Sequence, residues 1–247
     1  VHQGIETVGG TLVRVGTREA VSAEDMIQEI GPNTAAILFF LGAQPKEQLA
    51  EILPEATKRG VPVIIDAAAQ LPPRSNLTEI VGMGASLVNF SGGKGIRGPQ
   101  SSGLVLGKKE FVDAARLNSN PYSGIGRSMK VGKEEIMGLL AAVELFLAKS
   151  DSQEYAEWRG RMTHIVEAVE SIDGVHAEVV DSKQHPSAHV SLDDSFGKTP
   201  QQVNNELRTG DPAVVSSGSE NAIAINPMTM LPGEEELIAN RLVEVLT

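Results

Sequence analysis

Short apolar runs recur through the first half of the chain at spacings that leave room for a helix between them. Ala35-Ala36-Ile37-Leu38-Phe39-Phe40 is continuous rather than alternating, the pattern of a strand covered on both faces. Val61-Pro62-Val63-Ile64-Ile65-Asp66, Ser86-Leu87-Val88-Asn89-Phe90 and Gly103-Leu104-Val105-Leu106 repeat it, and Gly10 to Gly16 reads as a further strand ahead of them. Ser22 and Asp25 form a capping-box pattern before Met26 and Ile30, with Gly31 as a stop. Lys46 to Lys58 reads as a helix, kinked near Pro54 and ended at Gly60. Strands and helices in alternation need crossover connections, so the fold is α/β with a mainly parallel sheet wrapped by helices.

From about residue 131 the pattern turns helical. Ile136, Leu139, Leu140, Val143, Phe146 and Leu147 keep helical spacing and predict one apolar stripe. A second long helix is predicted over 152–171, with Trp158, Met162, Ile165 and Val169 on one face. Beyond Gly174 the expectation is strands at 175–180 and 188–192, a helix at 199–208, a strand at 222–225 and a terminal helix carrying Leu237, Ile238, Leu242 and Leu246. Residues 1–130 are thus read as part of a large α/β domain, 131–174 as linking helices and 175–247 as a small C-terminal α+β domain.

Composition narrows the function classes. The 247 residues carry 21 Lys plus Arg against 32 Asp plus Glu, a net charge of −11 that repels phosphate backbones and argues against nucleic acid as a partner. The absence of Cys excludes disulfides, thiolate metal sites and thiol nucleophiles. No apolar run approaches the roughly 20 residues that span a bilayer, and Val1-His2-Gln3-Gly4 does not open a signal peptide. A cytoplasmic location is the expectation, with no membrane partner.

The most informative stretch runs from Asn89 to Gly103, where five glycines crowd a single lysine just after a strand. Gly93-Lys94-Gly95-Ile96-Arg97-Gly98 satisfies GxGxxG, but Pro99 follows at once and Glu110 and Asp113 come too early for a ribose acid. A Walker loop fails too, because Gly95 stands where Ser or Thr should follow the lysine. A lysine that forms a Schiff base needs the same arrangement, since flanking glycines let the backbone approach a cofactor carbonyl. Pyridoxal phosphate also needs an acid facing its pyridine nitrogen. Asp66 ends an apolar strand at the carboxyl edge, and Lys94 lies 28 residues on, just past the next strand. Alone, Asp66 fits a turn cap and Lys94 a solvated loop lysine; together they favour a cofactor site.

Ile64-Ile65-Asp66-Ala67-Ala68-Ala69-Gln70, Phe90-Ser91-Gly92-Gly93-Lys94 and Arg97-Gly98-Pro99-Gln100 resemble the fold-type I pyridoxal-phosphate enzymes. Within them the chain looks most like the selenocysteine synthase (seryl-tRNA selenium transferase) and D-glucosaminate-6-phosphate ammonia-lyase group, and Gly124-Ile125-Gly126-Arg127-Ser128-Met129-Lys130 is similar to a later segment there. The resemblance implies that Lys94 is the Schiff-base lysine, that Asp66 faces the pyridine nitrogen, that Ala68 packs under the ring and that Ser91 reaches the cofactor phosphate. It also implies that Gln100 and Ser101 lie near a subunit interface of a homodimer or higher homo-oligomer. That group carries a phosphate loop and a stacking residue ahead of the point where this chain starts, so an N-terminal part is expected upstream. Ser216-Ser217-Gly218-Ser219-Glu220 stands where many relatives place a basic residue.

Arg97, Arg127 and Lys130 are the candidate binders of an anionic substrate, because a guanidinium grips carboxylate or phosphate with two parallel bonds. Ordinary surface charge is the competing reading, strongest for Lys130. His185 and His189 are separated by Pro186 from a shared helical face, so no metal site is assigned. Trp158 with Met162 reads as core, and no GxSxG elbow is present. The leading expectation is a pyridoxal-phosphate-dependent lyase acting on an amino acid, with a phosphorylated sugar amino acid as the class the resemblance implies. A seryl-tRNA selenium transferase-like or other class V aminotransferase-like enzyme is the alternative. A non-catalytic fragment that pairs with a complete subunit is the alternative of another kind.

Overall fold

The computed structural model describes residues 2–17, 20–218 and 222–247. The chain divides into two compact units, Val1–Glu144 and Leu145–Thr247. In the first, α1 (His2–Thr7) and α2 (Ala23–Gln28) precede β1 (Ile37–Phe40), α3 (Leu49–Lys58), β2 (Val63–Asp66), α4 (Asn76–Gly82), β3 (Leu87–Ser91), β4 (Gly103–Gly107), α5 (Lys109–Leu117) and α6 (Lys133–Ala148), whose last turn enters the second unit. The sheet runs β1-β2-β3-β4; the first three strands are parallel and β4 is antiparallel to β3.

The continuous apolar runs become strands that are fully buried on one face only, and the expected cover on both faces is not met: Leu38, Ile64 and Leu87 on the other face are half-buried and Phe40 is exposed. Phe39, Ile65 and Val88, at the middle of successive parallel strands, are each 0% exposed. The covering helices start where the local chemistry says they should. Ser22 caps α2 and forms the reciprocal capping box with Asp25, and the Ser22 side-chain and backbone hydrogen bonds hold the Asp25 carboxyl below its ordinary range. A 3-10 turn at Lys46–Gln48 leads into α3, which contains Pro54 and closes before Gly60 at φ 69.

Two further expectations change. Gly10 to Gly16 is irregular rather than a strand: no neighbouring strand pairs with it among the described residues, and Val13 is exposed. An apolar run becomes a strand only when a partner takes its backbone hydrogen bonds. The stripe on α6 is also divided, since Leu139 and Phe146 are buried while Ile136, Leu140 and Leu147 are exposed. In addition α1, α4 and α5 are helices for which the sequence reading gave no boundaries.

β4 closes one side of the sheet. Among the described residues no strand pairs with its outer edge, and Val105 stands exposed there.

The second unit is an antiparallel sheet, β5 (Val175–Val180), β6 (Ser187–Leu192), β7 (Ser217–Gly218) and β8 (Ile223–Ile225), in the order β5-β6-β8-β7. With it pack α7 (Asp151–Val169), α8 (Pro200–Thr209) and α9 (Glu234–Leu246). Trp158, Met162, Ile165 and Val169 of α7 are all buried, as their spacing predicts. Thr199 and Gln202 form a capping box at the start of α8, where Pro200 takes the first helical position.

Candidate active site

The turn that carries Lys94 is built from backbone contacts. After β3 the chain doubles back through residues 92–102 into β4. The Gly92 N–H donates to the Ser102 carbonyl at 2.9 Å, the Gly98 N–H to the Gly92 carbonyl at 2.7 Å and the Arg97 N–H to the Lys94 carbonyl at 2.8 Å. Gln100 Nε2 donates to the Gly93 carbonyl at 3.1 Å, and Ser102 Oγ to the Pro99 carbonyl at 2.6 Å. Glycine is required here by proximity. A Cβ on Gly92 would lie 2.1 Å from Ser102 Oγ, and one on Gly95 would lie 2.0 Å from the Leu71 carbonyl oxygen. Arg97 adopts φ 58, a left-handed conformation that costs a non-glycine residue about 1–3 kcal/mol and is concentrated at functional sites. On this frame Lys94 is exposed, and its amine makes no hydrogen bond or ion pair among the described residues.

That crowding makes a stability prediction. Gly95→Ala should lose about 1–3 kcal/mol, because the Leu71 carbonyl is backbone and cannot swing aside. Gly160→Ala is the control: a Cβ there meets open space within α7, so helix propensity should make it stabilising by about 0.5–1 kcal/mol. Urea midpoints of the two variants check the opposite signs.

Asp66 is the last residue of β2, in register with Phe40 on one side and Asn89 on the other. Its partly buried carboxylate accepts the Ala68 N–H at Oδ1, 3.0 Å. Pairing continues past the strand ends: the Ala67 N–H donates to the Asn89 carbonyl at 2.9 Å and the Ser91 N–H to the Ala68 carbonyl at 3.4 Å. Asp66, Ala68 and Ser91 therefore meet at the carboxyl edge of the parallel strands, with the Lys94 turn and Gln100 immediately beyond. This is where open α/β sheets bind ligands. Ser101 follows Gln100 and is exposed.

The substrate candidates are placed differently. Arg97 is exposed on the Lys94 turn itself. Arg127 and Lys130 are exposed on the irregular segment between α5 and α6, which folds back so that the Gly126 N–H donates to the Asn118 carbonyl at 2.7 Å. Among the described residues no hydrogen bond or ion pair joins either of them to the Lys94 turn. Ser219 and Glu220 lie outside the described residues.

Sequence reasoning passed over Gln44, Gln70 and Asn76, which also stand near this edge. Gln44 follows β1, and its Oε1 is buried without a hydrogen-bond partner among the described residues, as is Asn76 Oδ1. The available signal was the loop composition Gln70-Leu71-Pro72-Pro73-Arg74-Ser75-Asn76 directly after a strand end.

Residues 2–197 match the protein family described as SelA: L-seryl-tRNA selenium transferase. The chain belongs to that family. The SelA family chain is 30% identical over 256 residues to the 5'-C-glycyluridine monooxygenase-decarboxylase of a Streptomyces species, covering 99% of this chain and 62% of the relative. It is 27% identical to the D-glucosaminate-6-phosphate ammonia lyase of Salmonella typhimurium, with 99% of this chain and 66% of the relative covered. A solved structure of D-glucosaminate-6-phosphate ammonia-lyase superposes with a TM-score of 0.79 at 26% identity, over 99% of this chain and 66% of that one. The architecture is that of the fold-type I pyridoxal-phosphate group. The chain spans slightly under two thirds of the length of these relatives.

Proposed function

We propose that this chain binds pyridoxal phosphate and acts as an amino-acid lyase, releasing ammonia and a 2-keto acid. The observation that carries the reading is an amine, Lys94, unpaired among the described residues, on a glycine turn at the sheet edge that also presents the Asp66 carboxylate. These groups suit the cofactor: a primary amine with no ion-pair partner among the described residues, a partly buried carboxylate, and a tight glycine turn that holds the two at one sheet edge. When bound, pyridoxal phosphate supplies an electron sink for negative charge at the substrate α-carbon.

The chain's own residues do the rest. Asp66 would keep a proton on the pyridine nitrogen, Ala68 would leave room for the ring, and the Ser91 hydroxyl would hold the phosphate. Gln100 and Ser101 flank the site toward a second copy of the chain. The Lys94 amine takes the α-proton and holds it at Nζ, as a general base does. A β-hydroxyl leaves as water and one water is taken up as ammonia is released, so the net change is hydroxy amino acid to keto acid plus ammonia.

Arg97, Arg127 and Lys130 hold the anionic end of the substrate, for which a phosphorylated sugar amino acid is the proposed class. Arg127→Ala should raise KM about tenfold or more, the worth of a charge-assisted hydrogen bond. Arg127→Lys should recover only part, because a point charge replaces a planar fork. Steady-state kinetics of both variants check this, and unchanged KM in both would return Arg127 to surface charge.

The relative named a monooxygenase-decarboxylase favours a second reading, in which the bond to the carboxylate breaks instead. The protein loaded with pyridoxal phosphate and given D-glucosaminate-6-phosphate in heavy water separates the two. Ammonia with deuterium at the former α-carbon's neighbour supports the lyase; carbon dioxide supports decarboxylation. A chain that develops no visible absorption band with the cofactor is a non-catalytic one. A cytoplasmic setting fits a chain in which no described helix is long and apolar enough to cross a membrane.

A further inference from the structure

One side chain braces the segment that joins Asp66 to the Lys94 turn. The Gln70 N–H donates to the Ala67 carbonyl at 3.0 Å and closes a turn over 67–70. Inside that turn the Ala68 N–H donates to Asp66 Oδ1 at 3.0 Å, which fixes the carboxylate. The next residue reaches the other half of the site: the Leu71 carbonyl oxygen lies 2.0 Å from where a Cβ on Gly95 would stand. A stretch of six residues, 66–71, thus orients the carboxylate at one end and seats the lysine turn at the other.

Asn76 holds the middle of this stretch. It opens α4, is 6% exposed, and its Nδ2 donates to the Gln70 carbonyl at 2.7 Å. The other half of the same amide gains nothing, since Oδ1 is buried with no hydrogen-bond partner among the described residues. A buried unpaired oxygen is a cost that a leucine of similar size would not carry. Leucine would remove that cost but take the Nδ2 donor from the Gln70 carbonyl, so net stability does not single out asparagine at this place. A directional bond to one carbonyl is what leucine cannot supply.

We infer that Asn76 is a positioning residue that sets the Asp66 carboxylate against the Lys94 turn. The inference rests on the reading of Asp66 and Lys94 as the cofactor-binding pair. Asn76 touches neither the cofactor nor the substrate in this role; it acts through the Gln70 carbonyl.

The test compares Asn76→Leu and Asn76→Asp with the parent protein, both variants lacking the Nδ2 donor. In the cofactor-free protein, hydrogen exchange of the Ala68 and Gln70 amides should speed up by about tenfold, while the β2 amides of Val63 to Ile65 stay protected. In the loaded protein kcat should fall with KM nearly unchanged, the pH dependence of the visible absorption band should move, and the melting temperature of Asn76→Leu should change little, because one orphaned oxygen is removed while the Gln70 carbonyl loses a donor. Parent-like exchange over 67–70 in both variants overturns the inference. So does faster exchange with kcat and the absorption profile untouched, which would make the brace structural only. An Asp66→Asn control that keeps full turnover removes the cofactor reading and this inference with it, whereas parent-like exchange removes the inference alone.

Discussion

Replacing Lys94 by alanine is expected to cut turnover by at least about 10³-fold, within the range that a positioned general base contributes. The fold should survive. The hydrogen bonds described above that shape the turn are made by the backbone, Gln100 and Ser102, and among the described residues the exposed Lys94 amine has no hydrogen-bond or ion-pair partner. The loss is therefore chemical, and circular dichroism of the variant should match the parent. Borohydride reduction of the parent loaded with pyridoxal phosphate, followed by peptide mapping, should fix the label on Lys94. Label on another lysine, or an active Lys94→Ala protein, overturns the assignment.

Asp66→Asn should keep the cofactor and lose turnover by about 10²-fold or more, the scale set by removing one preorganised electrostatic partner. Asparagine has the same shape, and its Oδ1 can still accept the Ala68 N–H that orients residue 66. It carries no negative charge, so it cannot hold a proton on the pyridine nitrogen. Cofactor content and rate measured on one preparation check the split. Full cofactor with a parent-like rate excludes the role.

Much of this edge was legible because it depends on local chemistry. Lys94 stood out through its glycines, and at Gly92, Gly93, Gly95 and Gly103 a Cβ would meet an atom within 3.0 Å, while at Gly98 it would be merely tight. Asp66 stood out because an acid ends an apolar run, and the parallel register puts it beside Asn89, two residues before Ser91. The run at Gly10 to Gly16 misled for the converse reason: apolarity is local, but a strand needs a partner that composition does not name. Asn76 was invisible for a third reason. Its significance lies in one hydrogen bond to a carbonyl six residues back, and nothing in a loop of prolines and polar residues says which amide points inward. The divided stripe on α6 follows the same rule, since spacing tells which residues share a face but not what covers it.

β4 has a consequence for how firmly the site is held. The Lys94 turn hangs between β3 and β4 like a span between two piers, with Ser91 opposite Gly103 at its base. One pier is anchored on both sides by β2 and β4; the other has an outer row of N–H and C=O groups with no strand beside it among the described residues. Such an edge accepts any extended segment that offers complementary groups. Whatever pairs there stiffens β4, and with it the footing of the turn. By linkage, a group that binds the ordered turn must in return tighten the grip of the added strand. Sheet extension and occupancy of the lysine turn are then two readings of one equilibrium.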